Sequence, residues 1–310
     1  MAIADSAAST ITRQRELHDE MERFIGNRRR AFIPRSRELA AELGLAEATL
    51  PFLAHLRQIA EGDLVPLERL RRRLCYAAKE GWRSKLAELE GVGLVTQEKD
   101  GWRVTDRGMA AIERVWSEIH QQLRALPLPV EPLRRAVEAL EAIVAPATGD
   151  QYDRLTMIRR TSVPDRAHAE AAVRIEQAMF ETCVLLDDGH IHAWRRAGYR
   201  GPVLDVLTKV WNGAGTRDAL YKALSYSQES THVDDHIGEL VARGDVRVDG
   251  DLIALTEQGR ATRDRIEEET NRDGLARWPT GDALERLMTD IEALVAVLPP
   301  EDELPKGPTH

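Results

Sequence analysis

The sequence predicts a mostly α protein built from two tandem copies of one unit, each holding two short helices, a small β-hairpin and longer flanking helices. Three observations carry this. Residues 67–108 read as a charged helix from Leu67 to Leu74, a break, and a second helix closing on Leu86-Ala87-Glu88-Leu89-Glu90-Gly91-Val92-Gly93-Leu94-Val95. A hairpin at Asp100-Gly101 follows, and Val104-Thr105-Asp106-Arg107-Gly108 opens a further helix. The same order then returns: Ile237, Leu240, Gly244, Val246, Leu255, Thr256 and Gly259 each stand 151 positions after Leu86, Leu89, Gly93, Val95, Val104, Thr105 and Gly108. The offset persists downstream, where Leu140-Glu141-Ala142-Ile143-Val144-Ala145 reappears as Ile291-Glu292-Ala293-Leu294-Val295-Ala296. A gapless register over about sixty positions marks an internal repeat, which decides the fold before local propensity does. Helix, helix, wing, helix is the order of a winged helix-turn-helix, so two are expected.

Composition agrees with two helical domains. The chain has 310 residues, 43% hydrophobic and 31% charged, with few aromatics, the profile of a helix-rich globular protein. No apolar run reaches the roughly 20 residues of a membrane span, and the first dozen residues lack the pattern of a signal peptide. Cys75 and Cys183 form no metal or redox motif, which makes a reduced cytoplasm the expected location. The net charge of −9 is unevenly placed: residues 1–150 hold equal numbers of acids and bases, so the whole excess of acid lies in residues 151–310. Phosphate affinity should therefore come mainly from the first copy.

In chain order, residues 1–11 read as a disordered tail, and Thr12 as the cap of a helix carrying Leu17, Met21, Phe24 and Ile25. Pro34 is expected to break or start a helix; Arg37–Leu43 and Pro51–Ala60 follow as two more, and Pro66 suits the first turn of the next. After the wing, Gly108–Leu126 and Leu133–Ala145 are amphipathic helices separated by Pro127, Pro129 and Pro132. Pro146–Asp150 is the expected boundary between copies. The second copy should run through a helix from Ala167 to about Leu186, a turn at Asp187-Asp188-Gly189, and a helix through Trp194. A core-like helix follows with Leu204, Leu207, Val210 and Trp211. The winged segment is expected over 216–256 and the closing helices end at Glu269 and Leu298. The domains read as 12–148 and 149–298, with 299–310 a second disordered tail.

Gly93-Leu94-Val95 with Val104-Thr105-Asp106-Arg107-Gly108, and Leu255-Thr256-Glu257-Gln258-Gly259-Arg260, resemble the MarR-like family of bacterial regulators. There Leu-Thr-x-x-Gly follows the wing and Gly-Leu-Val closes the recognition helix. The resemblance covers about fifty residues of each half and implies double-stranded DNA as partner. It departs from that family in its short wing, where Arg103 is the nearest substitute for the usual Asp-x-Arg. The second half also resembles an uncharacterised actinobacterial helix-turn-helix family, on Asp188-Gly189-His190, Ala193, Leu255 to Glu267, Thr270, Arg272 and Trp278.

By that resemblance the exposed face of the second short helix enters the major groove, where Arg and Lys reach base acceptors and phosphates. Applied here, Lys79, Trp82, Arg83 and Lys85 become the candidates, with Arg71, Arg72 and Arg73 as phosphate contacts and Arg103 on the wing. The competing reading is that these charges solvate helices whose inner faces hold Leu67, Leu70, Leu74, Leu86 and Leu89. The equivalent helix of the second copy, Ser227 to His236, carries acids where phosphates would lie, and its wing adds Asp249 and Asp251. That copy is expected not to bind DNA in the same way.

His232 and His236 have chelating spacing, against the plainer reading of a polar helix face. Trp116 and Trp211 lie on apolar faces as core residues. The MarR-like resemblance gives them a second role, lining a pocket for an aromatic effector. No phosphate loop, Gly-x-Ser-x-Gly, His-Glu-x-x-His or metal-spaced cysteine set is present, so no enzyme activity or cofactor is expected. The reading is a cytoplasmic DNA-binding regulator, acting as a single-chain pseudo-dimer or a homodimer. Its rival is a winged-helix protein that no longer binds DNA and takes a small ligand or protein partner.

Overall fold

The computed structural model describes residues 2–60, 62–77, 81–145 and 169–305. Among them the helices are α1 (Ala2–Leu43), α2 (Leu50–Ile59), α3 (Leu67–Arg73), α4 (Gly81–Gly91), α5 (Asp106–Ala125), α6 (Val130–Val144), α7 (Ala171–Arg196), α8 (Gly201–Trp211), α9 (Arg217–Leu224), α10 (Ser230–Ala242), α11 (Glu257–Gly274) and α12 (Gly281–Val295). Strands β1 (Leu64–Pro66), β2 (Val95–Glu98) and β3 (Gly101–Val104) form one antiparallel sheet in the order β1-β3-β2. Strands β4 (Val246–Asp249) and β5 (Leu252–Leu255) form a second. This is a mostly α, winged-helix-like fold.

From α2 to α6 every element has a counterpart at the 151-residue offset. Leu50–Ile59 answers to Gly201–Trp211, Gly81–Gly91 to the helix ending at Ala242, and Asp106 and Val130 to Glu257 and Gly281 as helix starts. The two hairpins pair in the same register, Val95 with Val104 and Val246 with Leu255. β1 is matched by a single bridge from Thr216 to Leu252.

The junction of wing and following helix shows why these residues recur. The Thr105 hydroxyl donates to the Gly93 carbonyl at 2.8 Å and accepts from the Gly108 amide at 3.0 Å, capping α5. Thr256 does the same toward Gly244 at 2.6 Å and Gly259 at 3.0 Å, capping α11. Each cap satisfies an amide that the first helical turn leaves without a partner. Gly93 and Gly244 take φ of 73° and 78°, the left-handed region that ends a helix on glycine.

The chain divides into two compact units that do not follow the two copies expected from the sequence. One comprises Met1–Leu70, Lys85–Leu185 and Arg277–His310; the other comprises Arg71–Ser84 and Leu186–Ala276. In the first, Leu17, Met21 and Phe24 of α1, Leu140 of α6 and Leu287, Ile291 and Leu294 of α12 are buried, and α12 packs on both α6 and α1. Arg135 reaches Asp290 at 2.5 Å, and Arg13 grips Glu285 through Nε at 3.0 Å and Nη2 at 2.8 Å. In the second, α8 packs on α9, α10 and α11 around Leu204, Leu207, Leu220, Val233, Leu240 and Ile266.

Five expectations need correction. α1 runs unbroken through Pro34 and begins at Ala2, so neither a tail over 2–11 nor a break at Pro34 is present. Pro34 is exposed, and Phe32, Ile33, Leu39 and Ala40 keep the inner face buried on either side of it. α7 likewise continues through Asp187-Asp188-Gly189. Gly189 is there for close packing, since a Cβ would stand 2.9 Å from the Gly274 amide nitrogen. The wing turn is Lys99-Asp100, because Gly101 pairs with both Glu98 and Pro66 inside the sheet and a Cβ there would overlap the Val65 carbonyl. Residues 301–303 form a short 3-10 turn and Leu304 is buried, so the expected C-terminal tail is ordered to that point. The expected boundary at 146–150 lies outside the described residues.

Candidate nucleic-acid interface

The segment that the sequence reads as the first helix-turn-helix is α3, the turn after it and α4. Its charge pattern is set by helical spacing. On α4, Trp82, Leu86 and Leu89 recur at i, i+4 and i+7 and are all buried, leaving Arg83, Ser84, Ala87, Glu90 and Gly91 exposed. On α3, Leu70 is buried while Arg71 and Arg72 are exposed and Arg73 is half-buried. Arginines therefore stand on both sides of the turn.

The remaining candidates are placed differently. Trp82 is only 6% exposed, with the Arg83 guanidinium 4.7 Å from its ring centroid; it cannot offer its face to a base and is corrected to a core anchor. Lys85 is half-buried, its ammonium 5.7 Å from the Phe52 ring centroid, and burial holds its pKa below the usual lysine value. Arg103 is half-exposed on the wing but reaches both Asp63 and Glu98 at 2.5 Å. Those carboxylates raise its pKa and answer the charge a phosphate would meet. Lys79 lies outside the described residues.

In the second copy α10 presents Thr231, Asp234, Asp235 and Gly238 outward. Asp234 accepts from the Tyr221 hydroxyl at 2.8 Å and pairs with Arg217 at 3.3 Å, and Arg217 also donates to the Gly250 carbonyl of the wing at 2.7 Å. Arg217 is thus committed to its own protein. The two histidines do not form a chelating pair. His236 is buried and donates from Nδ1 to Gln228 Oε1 at 2.8 Å, while His232 Nδ1 accepts from the Glu229 amide as part of a capping box. Burial keeps the His236 pKa below its ordinary value. Among the described residues no group of three or more His, Cys, Asp or Glu side chains is placed to hold a metal.

Trp116 lies in a cavity of about 20 Å³ lined also by Arg29, Gln58, His120, Glu176 and Phe180, and its indole donates to the Ala54 carbonyl at 3.3 Å. That volume holds a water and no aromatic molecule. Glu176 of its lining is paired with the buried Arg28, and Arg28 Nε and Glu176 Oε2 have no hydrogen-bond partner. Trp211 belongs to the other unit. Its indole donates to Asp264 at 2.9 Å and its ring lies 4.7 Å from the Arg263 guanidinium, so it serves the contact of α8 with α11.

Sequence reasoning missed Tyr76, Trp194 and Gly201, which fix the turn between α3 and α4. Trp194 Nε1 donates to the Tyr76 hydroxyl at 3.0 Å, and the Cys75 carbonyl lies against Gly201. Only a pairing of residues more than a hundred positions apart reveals them.

A helix-turn-helix family matches residues 187–305, from within α7 to the end of the described chain. No curated protein and no solved structure matches. The chain therefore contains a helix-turn-helix domain, a class associated with DNA binding or regulation in general. No single described helix is long and apolar enough to cross a membrane.

Proposed function

We propose that the chain is a DNA-binding transcriptional regulator of MarR-like type, a tandem duplication in which one chain supplies both halves of a pseudo-dimer. The first helix-turn-helix carries the contact, through Arg71, Arg72, Arg73 and Arg83, with Lys79 beside them in sequence. The observation that carries this is the charge contrast at equivalent positions. Arg83 on the exposed face of α4 corresponds to Asp234 on α10, and Arg72 and Arg73 correspond to Ala223 and Leu224. A covalent partner removes most of the association cost that a dimer of separate chains meets. The packing of α6 on α12, which are equivalent helices, supports the pseudo-dimer.

A second reading, a winged-helix protein that binds a ligand or protein partner in place of DNA, is favoured by the wing, where Asp63 and Glu98 enclose Arg103. One titration separates the two. A fluorescent pool of random duplex DNA is titrated with wild type and with Arg83→Glu. The DNA reading expects binding that the substitution weakens about tenfold or more, through one lost attraction and one added repulsion. Equal affinity of the two proteins overturns the contact assignment, and absence of binding by wild type leaves the ligand or partner reading.

A further inference from the structure

The turn that joins α3 to α4 belongs to the same compact unit as α8–α11. Its contacts there are specific. Tyr76 has its ring 5.9 Å from Trp194 and 6.5 Å from His190, both on α7, and its hydroxyl accepts from Trp194 Nε1 at 3.0 Å. His190 is itself tied down. The Thr270 hydroxyl gives its proton to the Ile266 carbonyl at 2.7 Å, so its oxygen accepts from His190 Nδ1 at 3.0 Å. On the other side of the turn the Cys75 carbonyl lies against Gly201 at the start of α8. A Cβ at that position would overlap the carbonyl oxygen and stand 2.8 Å from its carbon. Within the turn, the Ala77 amide closes on the Leu74 carbonyl at 3.0 Å.

We propose that the second half of the chain is a positioning module for the reading element of the first: the Tyr76 seat on α7 and the glycine at the head of α8 hold the α3–α4 turn, and through it the arginines on either side. The acidic helix-turn-helix is then kept because α7, α8 and α11 are the bed on which the first one is set. Tyr76, Trp194 and Gly201 are positioning residues that touch no DNA. This rests on the DNA reading only where it concerns affinity; the seating of the turn is a separate fact with a separate readout.

The test uses the full-length chain carrying Gly201→Val, Tyr76→Phe, or Tyr76→Phe with Trp194→Phe. Amide hydrogen exchange is followed in 74–77 and 81–84, with 232–242 as internal reference. Gly201→Val is expected to speed exchange in the turn and the start of α4 at least tenfold while α10 keeps its wild-type rate. Tyr76→Phe should speed it as well, because the buried indole N–H loses its acceptor, and removing both partners should recover part of the protection. Should Gly201→Val fail to fold, the Tyr76 series decides alone. Unchanged exchange in folded variants overturns the proposal, as does faster exchange shared equally by α10. Where wild type binds duplex DNA, Gly201→Val should bind about tenfold more weakly, and a loosened turn with unchanged affinity overturns the positioning of the arginines. A wild type that binds no DNA counts against the DNA reading, and the exchange rates still decide whether the turn is held.

Discussion

Adding one methyl group at Gly259 and one at Gly238 should move stability in opposite directions. At Gly259 a Cβ would overlap the Asp245 carbonyl oxygen and stand 2.7 Å from its carbon. Relief requires the first turn of α11 to withdraw from the chain entering β4. The contacts at risk are the Thr256 amide on Asp245 at 3.0 Å, the Thr256 hydroxyl on Gly244 at 2.6 Å and the cap from Gly259 to Thr256 at 3.0 Å. Two hydrogen bonds at about 1 kcal/mol each and a cap of about 1 kcal/mol make the loss about 3 kcal/mol. Gly238 lies mid-helix in α10, exposed, with no atom within 4 Å of an added Cβ, and the equivalent residue of the first copy is Ala87. There Gly→Ala removes backbone freedom from the unfolded chain and should stabilise by about 0.5–1 kcal/mol. Urea unfolding followed by far-ultraviolet circular dichroism measures both, provided the slopes agree. A Gly259→Ala protein as stable as wild type, or a Gly238→Ala protein as damaged as Gly259→Ala, refutes the packing argument.

Two titrating groups give predictions of opposite sign. Asp205 is buried on α8 with the Tyr226 hydroxyl 3.3 Å away, and burial raises its pKa. Its contribution is most favourable below the unfolded value near 3.8 and is lost as pH rises through the folded value, so Asp205→Asn should be the more stable protein at pH 7, with a margin that shrinks toward pH 4. His236 has a lowered pKa, so its contribution is full above the unfolded value of 6.5 and is lost as pH falls through the folded one. Urea midpoints at pH 7.5 and 5 should fall less in His236→Gln than in wild type; an equal fall in both would show that His236 does not drive the loss.

The winged-helix-like elements were legible because their signal is carried by residues with one structural reason each. Thr105 and Thr256 are caps, Gly108 and Gly259 allow a carbonyl to approach, and Gly93 and Gly244 take a positive φ. Local breakers were less reliable. Pro34 sits on the wet side of α1 and Gly189 faces Gly274, so tertiary packing carries both helices through residues that read as stops. At the candidate site, spacing alone could have withdrawn Trp82, which shares the i, i+4, i+7 face of Leu86 and Leu89. The seat of Tyr76 on His190 and Trp194 had no such signal. It depends on bringing together segments distant in sequence, and helical periodicity reports only what lies within a few turns.

The most direct test of the account is the slope of the logarithm of duplex-DNA affinity against the logarithm of salt concentration, for wild type and for Arg71→Glu with Arg72→Glu and Arg83→Glu. If Arg71, Arg72, Arg73, Lys79 and Arg83 each displace a counterion, the wild-type slope should be roughly −4 to −5 at about 0.9 per phosphate contact, and the triple variant should lose most of it. Binding with the same slope in both proteins, or no binding by wild type at low salt, would contradict the claim that the first helix-turn-helix reads DNA.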